Sequence, residues 1–182
     1  MKKLLSLLCA VAMTFGISSA HAQKDPMVGG AAMYPSKNIV QNAVDSRDHT
    51  TLVAAVKAAG LVDTLEGPGP FTVFAPTNQA FAKLPAGTVS NLLKPEHVNQ
   101  LRKILTYHVV PGRITTRDLH KRIKQGGGKA TLTTVEGGTL TATMSGGHYV
   151  LTDAKGNSAT ITIPNVYQSN GMIQVIDAVL LP

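Results

Sequence analysis

Apolar residues recur at helical spacing through the first half of this chain and at alternate positions through most of the second. From Asn38, the positions Ile39, Val40, Ala43 and Val44 predict a short helix. Leu52, Val53, Val56 and Ala59 predict another, with Asp48 as its N-cap and Gly60 as its stop. Leu61, Val62 and Leu65 form a further apolar turn, and Gly67-Pro68-Gly69-Pro70 then breaks the chain. Phe71 to Ala75 is a continuous apolar run with the length of a buried strand. Thr77 and Asn78 follow as caps for a helix carrying Ala80, Phe81 and Leu84. After Pro85-Ala86-Gly87, Val89, Leu92 and Leu93 make another turn of helix. Pro95 opens a helix with Val98, Leu101, Ile104 and Leu105 in one stripe, and Pro111 breaks the segment after it. Arg117 to Lys124 reads as a short basic helix.

From Lys129 the period becomes two. Strands are predicted at 131–135, 139–144, 149–153, 159–163 and 173–180, with Gly137-Gly138, Gly146-Gly147 and Gly156-Asn157 as turns. Helices first and strands later place the chain in the α+β class, with N-terminal helices packed on a mostly antiparallel sheet. No internal repeat appears, so the chain holds one copy of the unit.

The first residues form a leader. Lys2 and Lys3 precede an apolar stretch from Leu4 to Ile17, and Ala20-His21-Ala22 supplies the small-x-small pattern of signal-peptide cleavage. The apolar stretch falls short of the about 20 residues a spanning helix needs. The expected organisation is a signal peptide at 1–22, a linker or N-terminal extension at 23–36, and a single domain at 37–182, exported to the periplasm or beyond. Met27, Met33 and Tyr34 give the extension side chains with which to dock on the domain. Cys9, the sole cysteine, leaves with the leader, so disulfides, thiolate metal sites and a cysteine nucleophile are not expected. Loss of Lys2 and Lys3 lowers the formal charge from +7 to +5. For an exported protein, such a charge points to acidic glycan, lipid headgroups or envelope components as partners, not to nucleic acid.

Two distant segments carry a resemblance. Phe71-Thr72-Val73-Phe74-Ala75-Pro76-Thr77-Asn78-Gln79-Ala80-Phe81 and the closing stretch from Asn170 to Pro182 resemble the two signature boxes of the fasciclin (FAS1) domain. Ala58-Ala59-Gly60-Leu61 is similar to the family's turn after its second helix, and Tyr107-His108-Val109-Val110-Pro111-Gly112 to its tyrosine–histidine motif. Gln174 stands where many members carry histidine. The resemblance covers nearly all of 37–182 and is greatest to single-domain bacterial proteins. It implies a compact FAS1 fold with the two boxes on neighbouring central strands. It also implies a non-catalytic role in adhesion or in envelope and matrix interactions. A carrier of an apolar small molecule, such as a pigment or lipid, is the alternative.

The boxes have a physical reading of their own. Phe74 fills a core, and Thr77 and Asn78 cap. Gly171 after Asn170 suits a tight turn at positive φ, and Asp177, a carboxylate in an apolar strand, needs hydrogen-bond donors. For binding, Tyr107 and His108 either present a contact surface, as the resemblance implies, or hold the helix end against the sheet. The stretch corresponding to an acidic–apolar receptor pair of some members is Asn165-Val166, which lacks the acid. Arg113, Arg117, Lys121, Arg122 and Lys124, with Lys129, form a basic segment suited to acidic glycan or anionic lipid, or else a solvated face. No cofactor or metal is expected: His49, His97, His108, His120 and His148 have no short ligand spacing. There is no Gly-x-Ser-x-Gly elbow, and Gly126-Gly127-Gly128 is not followed by the Lys-Ser/Thr of a phosphate loop.

Overall fold

The computed structural model describes residues 25–182; the leader expected at 1–22 lies outside the described residues. A two-stranded ribbon, β1 (Met27–Val28) and β2 (Ala31–Ala32), precedes the helices α1 (Ile39–Asp45), α2 (Thr50–Ala58) and α3 (Val62–Glu66). Strand β3 (Phe71–Pro76) leads into α4 (Asn78–Ala82), α5 (Thr88–Leu92) and α6 (Val98–Tyr107). Then come β4 (Val109–Pro111), α7 (Thr116–Gln125) and five strands: β5 (Lys129–Thr133), β6 (Thr139–Ser145), β7 (His148–Thr152), β8 (Ser158–Gln168) and β9 (Gly171–Ile176).

Seven strands form one mixed sheet in the order β4-β3-β9-β8-β7-β6-β5. Its one parallel pairing joins the two boxes, in register from Phe71 opposite Gly171 to Pro76 opposite Ile176. Both strands are covered on two faces, which is why their sequences run apolar without alternating. The outer strands alternate instead, and β5 buries only Ala130 and Leu132. The sheet curls until the residues after β5 reach β4, where Val135 N–H donates to the Val109 carbonyl at 2.8 Å. Pro111, expected to break the chain, ends β4, an edge strand that tolerates a missing N–H donor.

Two cores result. Ile39, Leu52, Val56, Leu101 and Leu105 pack with Val73, Ala75, Ile173 and Val175. On the curled half, Leu119 and Ile123 of α7 pack with Leu132, Leu140, Leu151 and Ile176. The i, i+4 spacing of Leu119 and Ile123 turns both inward, and each contributes about 1.5–3 kcal/mol by leaving water.

Local readings differ from the structure at four places. Asp48 does not cap α2: it lies in a 3₁₀ turn (Arg47–His49), and Asn78 caps that helix from α4, its Oδ1 accepting the Thr51 N–H at 3.0 Å. Asn78 therefore does not serve its own helix, whose cap is Thr77, accepting from Ala80 N–H at 3.2 Å. Gly171 is not at positive φ; it is glycine because a Cβ there would lie 2.2 Å from the Phe71 carbonyl oxygen and 2.9 Å from Ile39 Cδ1. Asp177 lies just past β9 rather than within a strand, half exposed, and accepts the Thr160 N–H at 2.7 Å. The extension places Val28 and Met33 in the core, while Met27 and Tyr34 stay exposed.

Candidate functional site

The tyrosine–histidine motif is interior. Tyr107 is 1% exposed and His108 2%. The Tyr107 hydroxyl donates to the Thr139 carbonyl at 2.7 Å and accepts the Ala154 N–H at 3.1 Å. His108 Nε2 accepts the Leu180 N–H at 3.0 Å, which leaves the ring proton on Nδ1, donated to the Ile104 carbonyl at 2.8 Å. Burial lowers the His108 pKa from 6.5 to about 4, so the ring is neutral at ordinary pH. These two side chains fasten α6 to the sheet and to the C-terminal segment. The contact surface expected from them is corrected: their polar atoms are spent inside.

Gln174 and Val166 are interior as well, and Asn165 is half-buried. Gln174 is fully buried on β9; its Oε1 accepts the Asn165 N–H at 2.9 Å, and its Nε2 donates to the Ile114 carbonyl at 2.9 Å. Asn165, at φ 57° within an irregular stretch of β8, accepts the Thr116 N–H at 2.9 Å and donates to Thr116 Oγ1 at 2.7 Å. This network ties β9, β8 and the start of α7 together, and a primary amide suits it because it donates and accepts at once. Val166 is buried.

Sequence reasoning missed two further polar anchors. Asp153 follows β7 and accepts from Lys155 N–H, Asn157 N–H, Asn157 Nδ2 and Leu181 N–H, all within 2.8–2.9 Å. Burial pushes its carboxyl up, yet those donors outweigh burial and hold it below the usual carboxylate range. The Asp-x-x-Gly-Asn spacing of 153–157 is the turn signal that could have disclosed it. Asn42 is fully buried and bonds both the backbone of Tyr34 and the side chain of Gln168, an anchor with no local signal.

The basic segment does reach the surface. Arg117, Lys121, Arg122, Lys124 and Lys129 are all exposed around α7 and the turn behind it. Asp118, the acid among them, is engaged by Thr115, whose N–H and Oγ1 it accepts at 2.9 and 2.7 Å as half of a capping box. Those bonds lower the pKa of its carboxyl. The ion pairs among the described residues lie elsewhere, at Lys37–Asp45 and Lys83–Asp177. Arg113 is separated from this face, its Nη2 donating to the Gln168 carbonyl at 3.1 Å. Among the described residues, no group of three or more His, Cys, Asp or Glu is placed to hold a metal ion. None of their helices is long and apolar enough to cross a membrane.

The profile of the Fasciclin domain matches residues 47–182. The chain belongs to the fasciclin family. Its relatives include protein sll1483 of Synechocystis, 49% identical over 160 residues, covering 88% of this chain and 82% of that one. The cell surface glycolipoprotein MPB83 of Mycobacterium bovis is 32% identical over 165 residues; the match covers 91% of this fasciclin protein but 64% of MPB83. Among solved structures, a FAS1 domain pair from the insect cell adhesion molecule fasciclin I superposes with a TM-score of 0.70 at 22% identity, covering 80% of this chain and 51% of that one. That likeness shows the FAS1 fold. The fasciclin boxes are its interior framework here, and the charged surface of α7 is separate from them.

Proposed function

We propose that this fasciclin protein is an exported, non-catalytic binding module of the cell envelope or extracellular matrix, and that the basic face of α7 engages an anionic glycan or lipid surface. The observation that carries this reading is the set of exposed cations Arg117, Lys121, Arg122, Lys124 and Lys129, whose neighbouring carboxylate, Asp118, is committed to the helix cap. The names of two proteins it resembles, a cell surface glycolipoprotein and a cell adhesion molecule, support a place at the surface. A cation near an anionic surface contributes about 1 kcal/mol. Arg117→Ala/Lys121→Ala/Lys124→Ala should therefore weaken binding to vesicles containing an anionic lipid, or to an immobilised sulfated polysaccharide, roughly a hundredfold. Raising the salt should weaken the wild type in the same direction. Equal retention of wild type and triple variant on both surfaces would refute the assignment.

The carrier alternative has one observation in its favour, a cavity lined almost wholly by apolar residues between α1, α2 and the sheet, including Val40, Val53, Val62 and Val109. Its volume of about 40 Å³ is far below the several hundred Å³ of a ligand pocket. A pigment or lipid would enter only if α1 and α2 moved off β3, so the surface reading is preferred.

A further inference from the structure

We propose that His49 is an acid-sensitive release for the N-terminal ribbon: when its ring takes up a second proton, residues 26–33 lift off α1 and β3 and uncover the apolar surface beneath. The proposal is independent of the function assigned to α7.

His49 lies in the 3₁₀ turn between α1 and α2 and is 3% exposed. Ser46 Oγ satisfies its Nδ1 at 2.9 Å in either neutral tautomer, because a hydroxyl can donate or accept. Nε2 has no hydrogen-bond partner. The Ala75 carbonyl attracts that side of the ring only weakly, without the geometry of a hydrogen bond. A protonated ring must donate from both nitrogens, and a buried, unpaired N–H that carries charge costs far more than a neutral one. The space beside the ring cannot hydrate a cation. It is a cavity of about 20 Å³, room for one water, and apart from Ser46 and His49 its lining is apolar, including Val28 and Met33 from the ribbon side and Leu52, Val73 and Val166 from the body.

Several elements cover the ring, and the ribbon is the one that can leave. β1 and β2 pair only with each other, so their departure breaks no bond of the seven-stranded sheet. Among the described residues, one hydrogen bond joins 26–33 to the body of the domain, from the Arg47 N–H to the Gly29 carbonyl at 3.2 Å. That bond ends on the turn that carries His49. The approach there is close: a Cβ on Gly29 would stand 2.6 Å from the Asp48 nitrogen and 2.8 Å from that of Arg47. Beyond Met33, the paired bonds between the Tyr34 backbone and the Asn42 amide hold the next residues to α1 and define the pivot. Such a segment opens locally, ahead of the whole fold.

Few charged groups surround the ring. Residues 26–33, β3, α4 and β9 carry no titratable side chain. α1 contributes Asp45, which is paired with Lys37. The turn contributes Arg47 and Asp48, α2 Lys57 and β8 Tyr167, all exposed. Burial lowers the His49 pKa from 6.5, outweighing the Ala75 carbonyl and the Asp48 charge, which favour the protonated ring. The closed form therefore has the lower pKa. The open form takes the proton first as pH falls, so opening is promoted below pH 6.5 and not above it.

Amide hydrogen exchange of the full chain between pH 7.5 and pH 5.5, corrected for the intrinsic exchange rate, is the test. Two amides report on the ribbon, the Met33 N–H bonded to Pro26 and the Arg47 N–H bonded to Gly29. Their protection should lie well below that of the Phe74 N–H in β3 and should fall by up to roughly tenfold over this range. His49→Asn, which keeps a polar partner for Ser46 and does not titrate, should abolish the fall, and His49→Phe serves if His49→Asn does not fold. His108→Gln should leave the fall unchanged, which separates ribbon release from unfolding of the whole domain. Protection independent of pH at both amides, a fall that survives in the His49 variants, or a fall removed by His108→Gln overturns the proposal.

Discussion

Replacing His108 by glutamine should remove much of the acid sensitivity of this protein between pH 7 and pH 5. A glutamine side chain can repeat both bonds of the ring, donating to the Ile104 carbonyl and accepting the Leu180 N–H, but it does not titrate. The His108 pKa is about 4 in the fold and 6.5 when unperturbed. The folded value is the lower one, so the unfolded chain takes up the proton first as pH falls. The stabilisation is whole above pH 6.5 and is lost progressively as pH falls through 6.5 toward 4. The full gap corresponds to about 3 kcal/mol, of which about 2 kcal/mol is already lost at pH 5. His49 is also lowered by burial and acts in the same direction, so the difference between the two proteins, not the wild-type curve alone, isolates His108. Urea unfolding of wild type and His108→Gln at half-unit steps from pH 7 to pH 5 makes the measurement. Wild type should lose about 2 kcal/mol more than the variant over this range. Parallel curves would show that His108 is not held neutral by burial, and the account of the α6 end would fail with it.

Gln174→Leu keeps the volume but leaves the Asn165 N–H and the Ile114 carbonyl without their partner, so unfolding free energy should fall by about 2–4 kcal/mol. An unchanged urea midpoint would show that this network is dispensable. Asn78→Ala should cost about 1 kcal/mol and loosen α2 rather than α4, because the lost bond is to the Thr51 N–H. Amide hydrogen exchange distinguishes the two helices, and faster exchange confined to α4 would contradict the cap assignment.

What the sequence disclosed was local. Asn38 reads as a helix start and closes a capping box with Gln41, a pattern complete within four residues. Gly146-Gly147 reads as a hairpin turn, and both residues take positive φ, at 57° and 81°, as a two-residue turn demands. The two boxes were legible because strands covered on both faces need uninterrupted apolar sequence. What stayed hidden was tertiary. Asn78 acts on a helix 27 positions earlier in the chain. The reason for Gly171 is the carbonyl of a residue a hundred positions away, not its own turn. Exposure of Tyr107 and His108 was equally undetermined, since an amphipathic side chain beside an apolar run suits either a binding surface or an interior anchor. Arg113 illustrates the converse. Its neighbours in sequence grouped it with a basic helix, while its backbone partner on β8 draws it to another part of the molecule.

The parallel pairing of β3 with β9 also orders events in time. The strand between β3 and β8 is synthesised after both of them, and they cannot be joined across it until residue 176 is available. A nascent chain can form its early helices and the β5–β8 meander from local contacts. The seam between β3 and β8, however, stays open until the closing box arrives. Closure of such a long loop is slow compared with hairpin and helix formation. Each molecule therefore passes through a window in which both flanks of the empty central position, the edges of β3 and β8, are open to pairing. Residues 171–182 act as the latch that ends that window, and a chain truncated before Gly171 would remain in it.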